Sequence, residues 1–124
     1  MPGKIIRIGD IKTKKIDAIK DADIYIGLAE PADKSTVPMS VGVYKQIGGP
    51  VEVVYNWDEV TIITDGPMEA IVDGEKYICN VGDILLTSKG TKLTLNAPSC
   101  SAGVFVILPH IEEAVKGTPL EGIL

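Results

Sequence analysis

Histidine is almost missing from this chain, with His110 the only one among 124 residues. Cysteine is scarce too: Cys79 and Cys100 stand far apart, with no Cys-x-x-Cys pair. Together these exclude a zinc site built on the usual spacings, and both cysteines read as small buried hydrophobes. No Gly-x4-Gly-Lys-[Ser/Thr] segment is present to cradle phosphates. The longest apolar runs, such as Val104–Leu108, are far short of the roughly 20 residues that span a bilayer. No charged n-region followed by a small-residue cleavage site opens the sequence, so a cytoplasmic location is expected. Repeats, low-complexity tracts and linkers are absent.

What is present suits one globular domain. Hydrophobic residues make up 45% and charged residues 23% of the chain, enough for a core without disulfides. The net charge of −5 is unevenly spread. Residues 1–20 hold six Lys or Arg against Asp10 and Asp17, a net +4, which leaves −9 for the rest. An acidic body repels phosphates, so neither nucleic acid nor an anionic membrane is expected as a partner.

Short strand-like runs recur every eight to ten residues. They are Asp23–Ala29, Met39–Ile47, Val51–Trp57, Glu59–Thr64, Glu69–Val72, Lys76–Cys79, Asp83–Thr87, Lys92–Leu95 and Ala102–Leu108. Turn residues separate them, including Pro31-Ala32-Asp33, Gly48-Gly49-Pro50 and Asp65-Gly66-Pro67. Asp73-Gly74 signals a tight hairpin, because both central positions of a type I′ turn need positive φ. Only Ile111–Lys116, and less clearly Ile16–Ala22, read as helical. The pattern is that of an all-β sandwich or barrel, with a double-sheet jelly roll the best fit.

Within the run from Val51 to Ile63, side chains alternate in direction. The even positions carry Glu52, Asn56 and Asp58 and read as outward, leaving Val60 and Ile62 free to pack under a second layer or a partner. The odd set, with Val53, Tyr55, Trp57, Glu59 and Thr61, then lines the interior. A carboxylate in a core strand is costly to desolvate unless it is paired or protonated. Either Glu59 lies at a solvated strand end, or it points into a cavity where it does acid–base work. Tyr55 is a candidate polar partner and Trp57 a candidate wall, both also explicable as core filling. Lys45 shares parity with Met39, Val41 and Val43, which read as inward, and could pair with Glu59 or hold an anionic substrate.

Two stretches carry a resemblance. Glu59-x6-Gly66 is similar to the end of the first cupin motif, and Gly82-Asp83-x4-Ser88-Lys89-Gly90 to the start of the second. Within the cupins the chain resembles the C-terminal domain of the ethanolamine-utilisation protein EutQ. Met39-x2-Gly42, Trp57-Asp58-Glu59, Gly66, Gly74, Gly82-Asp83 and Lys89-Gly90 carry that likeness. The resemblance implies a cupin-type double-stranded β-helix with a short C-terminal helix, a single domain over 1–124. Its parts would be a basic N-terminal arm or strand over 1–20, the barrel over 22–109, and a helix and tail over 111–124. The family's metal-binding histidines would fall near Val53, Tyr55 and Leu93. Of the His₃-Glu set only Glu59 is kept, so no metal and no cofactor are expected.

Three functions follow as expectations. The first is a metal-independent isomerase, dehydratase or lyase acting on a small polar metabolite. In it Glu59, Tyr55 and Lys45 are catalytic, and Met39, Val41, Val53, Trp57, Thr61 and Leu93 are walls. The second, implied by the resemblance, is a non-catalytic accessory module of ethanolamine utilisation, with bacterial-microcompartment components as partners. The third is a metabolite-sensing domain. The EutQ family also implies acetate-kinase activity, for which the sequence offers no phosphate loop. A homodimer is expected, with the apolar segment Lys4–Ile11 adding a strand to its own or its partner's sheet.

Overall fold

The computed structural model describes residues 5–29 and 39–123, so the turn expected at Pro31-Ala32-Asp33 lies outside the described residues. Eight antiparallel strands form: β1 (Lys14–Lys15), β2 (Asp23–Leu28), β3 (Ser40–Val54), β4 (Asp58–Asp65), β5 (Met68–Val72), β6 (Glu75–Cys79), β7 (Ile84–Thr87) and β8 (Lys92–Leu108). A single-turn helix, α1 (Ile111–Ala114), follows.

Two long strands replace four expected short ones. Met39–Ile47 and Val51–Trp57 are joined in β3, and Lys92–Leu95 and Ala102–Leu108 in β8. The joint in β3 is a bulge, where the β3–β8 register slips between Gln46 and Val51. Gly48 (φ +84°) and Gly49 (φ +138°) occupy conformations that other residues rarely adopt. Each long strand therefore serves two layers. Its β3–β8 outer half belongs to the order β1-β2-β3-β8-β4-β7. The segments Val51–Val54 and Lys92–Leu95 continue into β5 and β6. The β5–β6 hairpin turns through Asp73 (φ +48°) and Gly74 (φ +88°), with Val72 paired to Glu75, as the Asp-Gly signal requires.

The core fills the space between the layers. One end holds Trp57, Phe105, Ile107, Ile111, Ala114 and Val115; the other holds Ile63, Met68, Ala70, Cys79 and Ala97. Each such aliphatic or aromatic side chain contributes roughly 1.5–3 kcal/mol when fully buried. Gly42 and Gly103 leave room for two rings. A Cβ on Gly42 would strike the end of the Phe105 ring, and one on Gly103 would sit 2.6 Å from Tyr44 Cε1. α1 is fixed from both sides. His110 Nδ1 accepts from the Glu112 N–H at 3.4 Å, and Ser40 Oγ accepts from the buried Ile111 N–H at 2.8 Å.

Several expectations are corrected. Ile16–Ala22 forms no helix; Lys14 and Lys15 pair with β2, the Ile16 N–H bonds to Ile24 O, and the segment becomes a hairpin loop. The described part of the N-terminal arm, residues 5–11, pairs with no strand of this chain. It is exposed, makes a 3₁₀ turn at Ile8–Asp10, and passes over β2 where Gly27 leaves space for Ile11 and Lys12. Met39, Val41 and Lys45 are outward and exposed, not walls or catalytic groups of an interior site. The bulge is the cause: before it, Gly42, Tyr44 and Gln46 face in, and after it Val51, Val53 and Tyr55 do. Counting parity through Gly48-Gly49 reverses every side chain on the earlier half.

Candidate functional site

Glu59 sits near the start of β4, and its inward parity holds because no bulge interrupts Trp57–Ile63. It is 9% exposed and lines a cavity of about 610 Å³ between the layers. Trp57 Nε1–H donates to Glu59 Oε1 at 2.9 Å, and Thr61 Oγ1–H donates to Oε2 at 2.6 Å. The i and i+2 neighbours of one strand thus hold both carboxylate oxygens. The Tyr55 ring stands beside Glu59 on the cavity wall and stacks on Trp57 with centroids 4.8 Å apart and planes 20° apart.

These contacts set the proton affinity of the site. Burial raises the Glu59 pKa above its ordinary 4.5, while the hydrogen bonds from Thr61 and Trp57 and the neighbouring Tyr55 hydroxyl act the other way. Burial also pushes the Tyr55 hydroxyl well above 10, with the Glu59 charge adding to it. Tyr44 is raised to about 12, again chiefly by burial. Its hydroxyl lies 2.9 Å from Ser101 Oγ, which itself donates to Asp65 O at 3.2 Å. Gln46 Nε2 donates to Gly48 O at 3.0 Å and Leu95 O at 3.1 Å, tying the bulge to β8.

Of the residues singled out in the sequence, Glu59, Tyr55, Trp57, Thr61 and Val53 meet at this cavity. Leu93 is inward and fully buried, directly opposite Val53 in the β3–β8 ladder, but packs behind the cavity wall. Lys45, Met39 and Val41 take no part. Tyr44, Gln46 and Phe105 were missed, as was the closing segment Gly117–Leu120 after α1. The signal for Tyr44 and Gln46 was Gly48-Gly49-Pro50, a bulge marker as much as a turn. Nothing in the sequence marked the closing segment.

Val53 and Tyr55 line the cavity with Glu59, and Leu93 packs behind Val53; these are the positions where the resemblance puts the cupin histidines. That donor set does not fit a metal: two members are hydrocarbon and the tyrosine is held protonated. Among the described residues no group of three or more His, Cys, Asp or Glu is placed to hold a metal ion. No helix among them is long and apolar enough to cross a membrane.

A two-layer antiparallel barrel around an interior pocket, with one strand-borne glutamate at the motif position, defines a cupin. Solved structures agree. An ethanolamine utilization protein Q from Salmonella typhimurium LT2 superposes with TM-score 0.76 at 18% identity, over 86% of this chain and 85% of that one. The EutQ protein of Clostridium difficile gives 0.68 at 18% identity, over 87% and 82%. KdgF from Halomonas sp. gives 0.71 at 15%, over 90% and 98%. The family described as Ethanolamine utilisation protein EutQ matches residues 4–111, and the chain belongs to that family. A curated relative, Acetate kinase EutQ of Clostridioides difficile strain 630, is 30% identical over 54 residues. That match spans 44% of this chain and about a third (34%) of the relative.

Proposed function

We propose that the chain is a EutQ-type cupin that binds a small polar metabolite in its barrel and moves a proton at Glu59 without a metal ion. The observation that carries this is a carboxylate held on both oxygens by Trp57 and Thr61 at the wall of a 610 Å³ cavity. A cavity of that size suits a small organic molecule. Burial brings the Glu59 pKa upward, toward the range in which a carboxyl group can both take and return a proton. Trp57 and Thr61 fix the orientation of the carboxylate, and Tyr55 supplies a hydroxyl beside it that keeps its own proton. Isomerisation, dehydration and elimination all proceed by such transfers in a pocket shielded from water. Family membership supports a role in ethanolamine utilisation, and association with microcompartment components belongs to the same proposal.

The test is proton exchange. Small hydroxy-carbonyl compounds incubated with the protein in D₂O and a strong chelator should gain deuterium at the carbon next to the carbonyl. Glu59→Gln should lose this exchange while remaining folded. Exchange that vanishes with the chelator, or persists in Glu59→Gln, refutes the reading. Specific binding of a small molecule with no exchange in any compound would favour the metabolite-sensing alternative.

A further inference from the structure

The cavity holds an interior carboxylate, and most of the donors around it are already engaged. Among the described side chains that line it, the possible donors are Lys20, Tyr44, Gln46, Tyr55, Trp57, Thr61 and Thr118. Trp57 and Thr61 are committed to Glu59, and the Tyr55 hydroxyl stands beside the carboxylate. Both Gln46 amide hydrogens go to the Gly48 and Leu95 carbonyls, and Thr118 Oγ1–H goes to Val115 O at 2.7 Å. Ser101 spends its only proton on Asp65 O, so Tyr44 is the donor between those two hydroxyls. Lys20, exposed at the rim, remains. The acceptor side is open. An ionised carboxylate has about four lone-pair sites, and Trp57 and Thr61 occupy two. Charge points the same way: Glu59, Asp21 and Glu52 line the cavity against Lys20 alone.

We propose that the ligand presents to Glu59 a positively charged hydrogen-bond donor, a protonated amine or similar small organic cation, and not a carboxylate or acyl phosphate. This rests on the reading of the cavity as the ligand site. A cation brings the donors that the wall lacks and meets the carboxylate through a charge-assisted bond. The Tyr55–Trp57 stack and the surrounding aliphatic side chains accept its carbon skeleton, and aromatic rings favour a nearby positive charge. An anion would lie against Glu59 with no interior cation among the described residues to offset the repulsion. The acetate-kinase name of the curated relative describes substrates of the disfavoured kind.

Trp57 is the chain's only tryptophan and touches Glu59, so its fluorescence reports occupancy. The full chain is titrated with n-butylammonium, n-butanol and butyrate, three probes of nearly one shape. The ammonium should bind tightest and butyrate weakest. Glu59→Gln should weaken the ammonium about 10- to 100-fold, the size of a charge-assisted hydrogen bond, and move n-butanol by less than about threefold. Butyrate binding as tightly as the ammonium, or an ammonium affinity unmoved in Glu59→Gln, overturns the proposal. Butanol bound without an ammonium preference sinks only the charge assignment. If none of the three binds, the cavity reading falls as well.

Discussion

Replacing Glu59 by leucine and, separately, by glutamine isolates what its hydrogen bonds contribute from what its charge costs. Leucine fills a similar volume but accepts nothing, so the Trp57 N–H and the Thr61 hydroxyl lose the partners they hold at 2.9 and 2.6 Å. Each unsatisfied buried donor costs about 1–3 kcal/mol, and Glu59→Leu should therefore lose roughly 2–6 kcal/mol at pH 7. Glutamine keeps an oxygen for Trp57, and the Thr61 hydroxyl can turn to accept from the new amide. It also removes a buried charge, so Glu59→Gln should stay within ~1 kcal/mol of wild type. The pH dependence has a definite sign. The folded pKa lies above the ordinary 4.5, so the folded chain binds this proton more readily than the unfolded one. Stability from this group is gained as pH falls from above the raised value towards 4.5, and lost again on the way up. Urea unfolding followed by Trp57 fluorescence at pH 5 and pH 7.5 reads both effects. The wild-type midpoint, measured relative to that of Glu59→Gln, should be higher at pH 5. Glu59→Leu as stable as Glu59→Gln at pH 7 would show that the bonds to Trp57 and Thr61 carry no weight. An unchanged wild-type-to-Gln difference across the two pH values would refute the raised pKa.

Gly42→Ala should lower stability by about 1–3 kcal/mol in thermal unfolding, because the new methyl group meets the Phe105 ring and lies 2.5 Å from the Gly27 carbonyl. Tyr44→Phe should cost about 1 kcal/mol at pH 8 through the lost bond to Ser101. Since the folded Tyr44 pKa is raised from 10.0 to about 12, its stabilisation is complete below pH 10 and lost as pH rises towards 12. Urea midpoints at pH 8, 10 and 11 should show the alkaline loss shrinking in Tyr44→Phe. Lys45→Ala should leave n-butylammonium affinity within about twofold of wild type, because the side chain is exposed on the outer face; a larger loss would put Lys45 back in the site.

The fold was legible because its local signals agree. β-Branched runs alternate with turn residues, Asp73-Gly74 gives the expected two-residue hairpin, and the glycine spacing around Gly66 and Gly82-Asp83 gave the cupin resemblance. The site was half legible. Between β3, which ends at Val54, and β4, which starts at Asp58, the three-residue connection keeps the alternation, so parity placed Val53, Tyr55, Trp57, Glu59 and Thr61 together. Lys45, Met39 and Val41 were misplaced because Gly48-Gly49-Pro50 looks locally like the end of a strand, while in the fold β8 continues to pair on both sides of it. A residue inserted in one strand of a ladder shows only when its partner strand is known. The closing segment Gly117–Leu120 was hidden for another reason: its place over the cavity depends on tertiary packing of Val115 and Leu120 against the core, not on any local pattern.

β8 borders β3, β4 and β5, and it is the last strand to be synthesised. A chain still emerging from the ribosome can form the β1–β2–β3 ribbon, the β4–β7 pair and the β5–β6 hairpin, but no described strand joins them until residues 92–108 are free. Closure of both layers then waits on one late segment threading between partners made long before it. Truncation inside β8 leaves three ribbons with open edges that no other described strand joins, so the fold is lost as a whole.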